Sequence, residues 1–461
     1  MMKCGFLLIL LLGSFRAFAL TVPELIESIK VHHPQILSAQ AKREQAELAQ
    51  LKAQGEFDLR FDQNTHFRTS GFYHGKHLSQ SITKPLHFAN AELKGEYRFS
   101  DGNFPIYEDE YNTRTGGETS IGVKLSLLKN YDIDKRRTLL ANANAIHTQG
   151  LSKEQQKRQK LIYQGIDAYL NWYESHAQMK VLSNLVSLAQ TRQNGIEKRV
   201  NSGDLAPMSL HEFETTLISR QIALSQAQQS LNEAELMLGY YWRTSKAVSH
   251  KETLPQSPPT DIEWPFSQAF EQIHFTSHWV EQHPLIRALN ADIAIAKNQS
   301  RLAKNDYLPK LDMELKVARD AGSGSASLAG TESYIGLNFS VPLERRKAKA
   351  EKAKAKAKIE ELRYKKQALF EQLSLDIETH IQQLNNLKDL NQLVHSQSRL
   401  AQKLASQEQI RFNEGDSDQF LLNSRELAAS QAELAAIHSD LKLKRQELKL
   451  LLITGQIEQR E

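Results

Sequence analysis

Paired histidines are the first residues whose spacing could do chemistry. The chain holds 16 histidines, and three pairs stand at ligand-like distances: His32 with His33, His74 with His77, and His274 with His278. A structural metal centre needs further donors. The one cysteine in 461 residues, Cys4, builds neither a thiolate cluster nor an intramolecular disulfide. His33 and His283 each precede a proline, where a bend between helices is the simpler reading. No G-x-S-x-G, P-loop or H-E-x-x-H run occurs. The expectation is a protein with no catalytic centre, no metal and no other cofactor.

A second recurrence is more specific. "RVNSGD" at 199–204 and "RFNEGD" at 411–416 both read R-x-N-x-G-D. The residues singled out are Arg199, Asn201, Gly203 and Asp204, with Arg411, Asn413, Gly415 and Asp416. Each hexapeptide lies between two long Leu- and Ala-rich segments. Glycine there supplies a left-handed helix stop, and aspartate favours the start of a returning helix. Arginine is not demanded by that chemistry. Its planar fork suits carboxylates or carbonyl oxygens on a partner.

The elements that carry these hexapeptides are themselves duplicated. "HHPQILSAQAKREQAELAQLKAQGEFDLRFD" at 32–62 parallels "QHPLIRALNADIAIAKNQSRLAKNDYLPKLD" at 282–312. "SLLKNYDIDKRR" at 126–137 and "SVPLERRKAK" at 340–349 are apolar runs that break into a basic helix start. "LMLG" and "LLITG" close the two copies. The first copy spans 20–254, a Pro-rich linker occupies 255–265, and the second copy spans 266–461. Alternating apolar positions predict strands at about 56–69 and 119–129, then at 307–318 and 333–342. A long loop fills 70–118, with an alternating run at 91–99 that suits an extra hairpin. The Gly-rich segment 321–330 reads as a flexible loop. The helices before each hexapeptide reach ~100 Å at 1.5 Å per residue. Leu427, Leu434, Leu441 and Leu448 form a seven-residue repeat that specifies coiled helix packing.

Composition agrees with long, mostly solvated helices: 40% hydrophobic, 24% charged, mean hydropathy −0.51. The N-terminus "MMKCGFLLILLLGSFRAFAL" reads as a secretory signal peptide, 1–19, cleaved after Ala19. Cleavage takes the formal charge from +4 to about +2. The basic run "RRKAKAEKAKAKAK" at 345–358 sits directly after a strand, which favours a solvated collar over nucleic acid. Two strands per copy give four per chain, each long enough to cross an outer membrane when tilted. Four strands close no barrel, and an open edge cannot face lipid. Several copies must therefore share one barrel.

The signal peptide, the duplicated helix-strand-strand-helix-helix unit and the R-x-N-x-G-D ends resemble the TolC-like outer-membrane efflux protein family over about 23–455. Arg199, Gly203, Arg411 and Gly415 match that family's pattern at the hairpin ends. The resemblance implies a mainly α protein with transmembrane β: a homotrimer sharing a 12-stranded β-barrel in outer-membrane lipid, continued by a long periplasmic α-helical barrel. It implies passive export in a tripartite efflux or type I secretion system, through a periplasmic adaptor that docks on the hairpin ends and an inner-membrane transporter. The chain departs from the family where acidic residues form a constriction, since Leu421 and Ser424 stand there. Glu414, Asp416 and Asp418 are the substitute acidic ring at the periplasmic mouth. The competing reading is an exported soluble coiled-coil scaffold protein.

Overall fold

The computed structural model describes residues 20–105, 111–244, 254–255, 257–266 and 276–458. The signal peptide with Ala19, His274 and part of the Pro-rich linker lie outside them. The element order is α1 (Val22–His32), α2 (Pro34–Gly55), β1 (Arg60–Arg68), β2 (Gly75–Pro85), β3 (Glu92–Gly102), β4 (Glu118–Ser126), α3 (Lys135–Asn201) and α4 (Pro207–Tyr241). There follow α5 (Ser277–Gln282), α6 (Pro284–Asn305), β5 (Lys310–Asp320), β6 (Thr331–Ser340), α7 (Arg346–Glu414) and α8 (Gln419–Thr454).

Local chemistry sets the helix boundaries. Thr21 and Glu24 form a reciprocal capping box at the start of α1. The α1–α2 and α5–α6 bends each fall at a His-Pro pair. His33 Nδ1 accepts from the Gln35 amide at 3.2 Å, and His283 Nδ1 accepts from the Leu285 amide at 3.2 Å. Proline forbids the helix to run on through the preceding residue, and the imidazole then satisfies an orphaned N–H of the next helix.

The chain divides into two compact units, and neither coincides with a sequence repeat. One comprises 1–39, 155–280 and 372–461; the other comprises 40–154 and 281–371. Each unit therefore draws on both copies, and the boundaries fall within α3 and α7.

In the first unit α3 carries the largest fully buried side chains, Trp172 and Tyr169. Leu161, Ile162, Ile166, Tyr169, Leu170 and Trp172 are fully buried there. They pack with the apolar faces of α1, α4 and α8, where Leu25, Ile29, Leu238, Leu448 and Leu451 are also buried. Gly165 permits the closest approach: a Cβ at that position would stand 2.2 Å from Ile29 Cδ1.

The second unit holds one antiparallel sheet in the order β1-β2-β3-β4-β5-β6. This corrects two expectations. The segment 70–118 is not a single loop, because β2 and β3 lie inside it. Among the described residues the sheet accordingly has six strands and not four. The β2–β3 turn carries Ala89 and Asn90, both with positive φ, as the tight hairpin turn that matches strand twist requires. Segment 321–330 is also more ordered than its glycines suggest. It contains a 3-10 turn at Ala326–Leu328, and Ser323 and Ala321 carbonyls accept from the Thr115 and Gly116 amides at 2.9 and 2.8 Å.

Candidate functional site

Two structures carry the functional argument: the faces of the sheet in one unit and the helical hairpin ends in the other. Because side chains alternate along a strand, the register assigns every residue to a face. Phe61, Ile82, Gly95, Ile121 and Val317 share one cross-strand row. Leu93, Val123, Leu315 and Ile335 share the adjacent row on that face. This face is apolar and open: Ile121 is 59% exposed and Ile335 73%. Its mid-strand polar groups Gln63 and Gln80 bond to each other at 2.8 Å.

The opposite face is polar and concave. A cavity opens on it, lined among others by Arg60, Ser81, Glu92, Glu96, Lys124 and Lys316. Glu118 pairs with Arg98 on the neighbouring strand and accepts from Lys316 Nζ at 3.0 Å on the other side. Ser79 donates to Glu96 at 2.7 Å, and Ser126 donates to Asp312 at 2.9 Å. The sheet thus sets exposed apolar residues on one face and hydrogen-bonded charge on the other. Among the described residues no helix is long and apolar enough to cross a membrane.

The hexapeptides sit where α3 turns into α4 and α7 into α8. Gly203 and Gly415 have φ of +81° and +85°. A Cβ at either would meet nothing within 4 Å, so the left-handed backbone and not crowding selects glycine. Asp204 and Asp416 do not cap the return helices. Their amides donate to the Arg199 and Arg411 carbonyls, each at 2.9 Å. Asp418 caps α8 through the Leu421 amide at 2.7 Å, whereas α4 starts at Pro207 without a side-chain cap. One of the three residues assigned to an acidic ring is thereby engaged in a helix cap. Glu414 and Asp416 are exposed.

The two arginines differ. Arg411 Nη2 donates to the Asp416 carbonyl at 3.0 Å and so closes its own turn. Arg199 is exposed. Asn413 Oδ1 accepts from Gln409 at 2.8 Å, and Asn201 is exposed.

A short way up the helices the structure brings together residues that the sequence did not single out. Glu426 of α8 pairs with Arg192 of α3 and with Arg220 of α4. Arg192 also donates to Gln409 of α7 at 2.6 Å, and Arg220 donates to the Leu185 carbonyl at 3.1 Å. Burial depresses the Arg220 guanidinium below its ordinary value, against the attraction of Glu426. Below this cluster Val186, Ala189, Ile196, Phe213 and Leu217 seal α3 against α4.

The metal reading finds no support among the described residues, where no group of three or more donors gathers. His77 instead bonds to Ser100 at 2.9 Å. His33 and His283 are buried and act as caps.

No family model matches the sequence, and no curated protein matches it. Solved structures do match. The outer membrane protein VceC of Vibrio cholerae superposes with a TM-score of 0.67 at 13% identity, covering 94% of this chain and 96% of that one. The chain has the fold of an outer-membrane channel. The CmeC outer membrane channel of Campylobacter jejuni gives 0.67 at 13% identity over 95% of this chain and 87% of its own. The open state of the MtrE outer membrane channel of Neisseria gonorrhoeae gives 0.65 at 14% identity over 96% and 93%. At such identities the likeness concerns the fold, and the chemistry rests on the residues above.

Proposed function

We propose that this chain is one subunit of an outer-membrane export channel, and that three copies share one barrel and one periplasmic helical conduit. The observation that carries the reading is the sheet: an exposed apolar face, a charged concave face, and open edges at β1 and β6. A soluble coiled-coil scaffold has no use for Ile121, Ile335, Leu337 and Phe339 exposed side by side. Further support comes from α7, where Leu375, Leu393 and Leu400 are each more than half exposed, as helices that pack against neighbouring copies require. Cargo moves passively, driven by an inner-membrane transporter and relayed by a periplasmic adaptor. Fractionation should find the chain in the outer membrane, and mild-detergent extraction should yield three copies that conduct ions in a planar bilayer. A detergent-free monomer would exclude the reading.

The hairpin ends are the adaptor's docking surface in this scheme, with Glu414 and Asp416 lending the mouth negative charge. Arg199 is the sharper probe, because Arg411 is occupied in its own turn. Arg199→Ala should leave trimer yield and barrel insertion unchanged while lowering export at least tenfold. Arg411→Ala should also loosen the local turn, visible as faster amide exchange around 411–418. Normal export by Arg199→Ala at normal expression would reduce the first hexapeptide to a turn.

A further inference from the structure

The β2–β3 hairpin is an integral part of the sheet and is no surface flap. It pairs on both sides, from Arg60↔Thr83 to Arg68↔Gly75 with β1 and from Glu92↔Lys124 to Arg98↔Glu118 with β4, while Phe99–Gly102 extend past β4. Its residues follow the facial division of the main strands, with Lys76, Gln80 and Lys84 as the exceptions on β2. Leu78, Ile82, Leu93 and Phe99 lie on the apolar face, and Ser79, Ser81, Glu96 and Arg98 on the charged one. The inner charge network runs unbroken from the insertion into the repeat strands, through Arg98, Glu118 and Lys316. The turn end is fastened as well. The Ser126 amide donates to the Ala89 carbonyl at 2.9 Å, Arg136 bonds to Glu92 at 2.7 Å, and His87 stacks on Phe57 with ring centroids 4.0 Å apart.

The insertion adds strands in a pair, so the two outer strands still run in opposite directions. β6 of one copy is therefore antiparallel to β1 of the next, the arrangement a head-to-tail ring needs. Building on the trimeric channel reading, we propose that β6 pairs with β1 of a neighbouring copy and that three copies of six strands close an eighteen-stranded barrel. Barrel diameter grows roughly linearly with strand number, so this wall is about 1.5 times as wide as one of twelve strands. Both signs of charge line its interior, including Arg60, Lys94 and Lys124 with Asp62, Glu92 and Glu314. The passage is thus wide and hydrated without a single-sign field.

Cysteine pairs on the apolar face test this in the full-length chain in outer membranes. Gln63→Cys on β1 is combined with Ser333→Cys, Ile335→Cys or Leu337→Cys on β6, with the unsubstituted chain as the blank. At least one pair should give a disulfide ladder that ends at three copies. Gln63→Cys combined with Thr119→Cys or Ile121→Cys on β4 should give no bond, because two intervening strands hold these positions about 14 Å apart. An end-on view of the extracted assembly that resolves strands should count eighteen. A bond between β1 and β4 within one chain of a membrane-inserted trimer would expel the hairpin from the wall and leave twelve strands. A trimer with no β6–β1 bond in any pair would likewise overturn the proposal. A monomer without a membrane location would strike at the channel reading itself, and the fractionation and mass measurements distinguish that outcome.

Discussion

Glu426→Ala is expected to destabilise the four-helix region behind the hairpin ends by about 3–5 kcal/mol. Glu426 lies between Arg192 and Arg220, with side-chain exposures of 9%, 14% and 8% respectively. Removing the carboxylate leaves two guanidinium groups with little water and no counter-charge. Gln409, Asn423 and the Leu185 carbonyl remain as acceptors, but none carries charge. Glu426→Gln should retain part of the hydrogen bonding and fall between wild type and alanine. Thermal unfolding followed by helical circular dichroism measures the loss. Amide exchange around 185–225 and 405–430 should locate it. A change below 1 kcal/mol for alanine would mean that water already solvates both arginines.

Acid should weaken the fold well above the range where most carboxylates titrate. His33 and His283 are both held down to about 4 from an ordinary 6.5, chiefly by burial; at His33 the charges of Arg243 and Lys157 add to the effect. Between pH 6.5 and 4 the unfolded chain takes up these protons and the folded chain does not. Stability is thus fully present above 6.5 and falls as the pH drops through that window, on the order of 3 kcal/mol per histidine by pH 4. Protonation also cancels the acceptor role of Nδ1 toward Gln35 and Leu285. His33→Asn with His283→Asn replaces each imidazole by a good capping residue that does not titrate. Denaturant unfolding at pH 7, 5.5 and 4.5 should show a shallower decline for the double variant. Parallel declines would assign the acid sensitivity to carboxylates elsewhere.

What could be read from the chain follows the range of each interaction. The turns at 199–204 and 411–416 and the His-Pro bends depend on neighbours within a few positions. Their residues therefore announced them. The strongest strands had apolar alternation, as at Leu311, Met313, Leu315 and Val317. β2 lacked it because its outward row reads Lys76, Leu78, Gln80, Ile82 and Lys84, and Gln80 is satisfied only by Gln63 from the adjacent strand. The cluster around Glu426 was hidden for a related reason. Arg192 and Glu426 stand 234 positions apart, and only the docking of four helices joins them. Asp204 and Asp416 precede the return helices, and the cap of α8 comes two residues later, at Asp418.

The open edges of β1 and β6 also bear on how the proposed ring would be born. A lone chain exposes two rows of unpaired amides and carbonyls beside an apolar face. Joining a second copy satisfies one seam yet still leaves two frayed flanks, so an arc of two is as unsated as the single chain. Only the closing step consumes the last pair of flanks, and it does so without recruiting another molecule. In the proposed trimer, partial arcs would therefore dissolve and re-form while the finished ring would persist. Under that proposal biogenesis would be steeply sensitive to supply: halving the number of newly exported chains should cut the yield of complete channels by more than half.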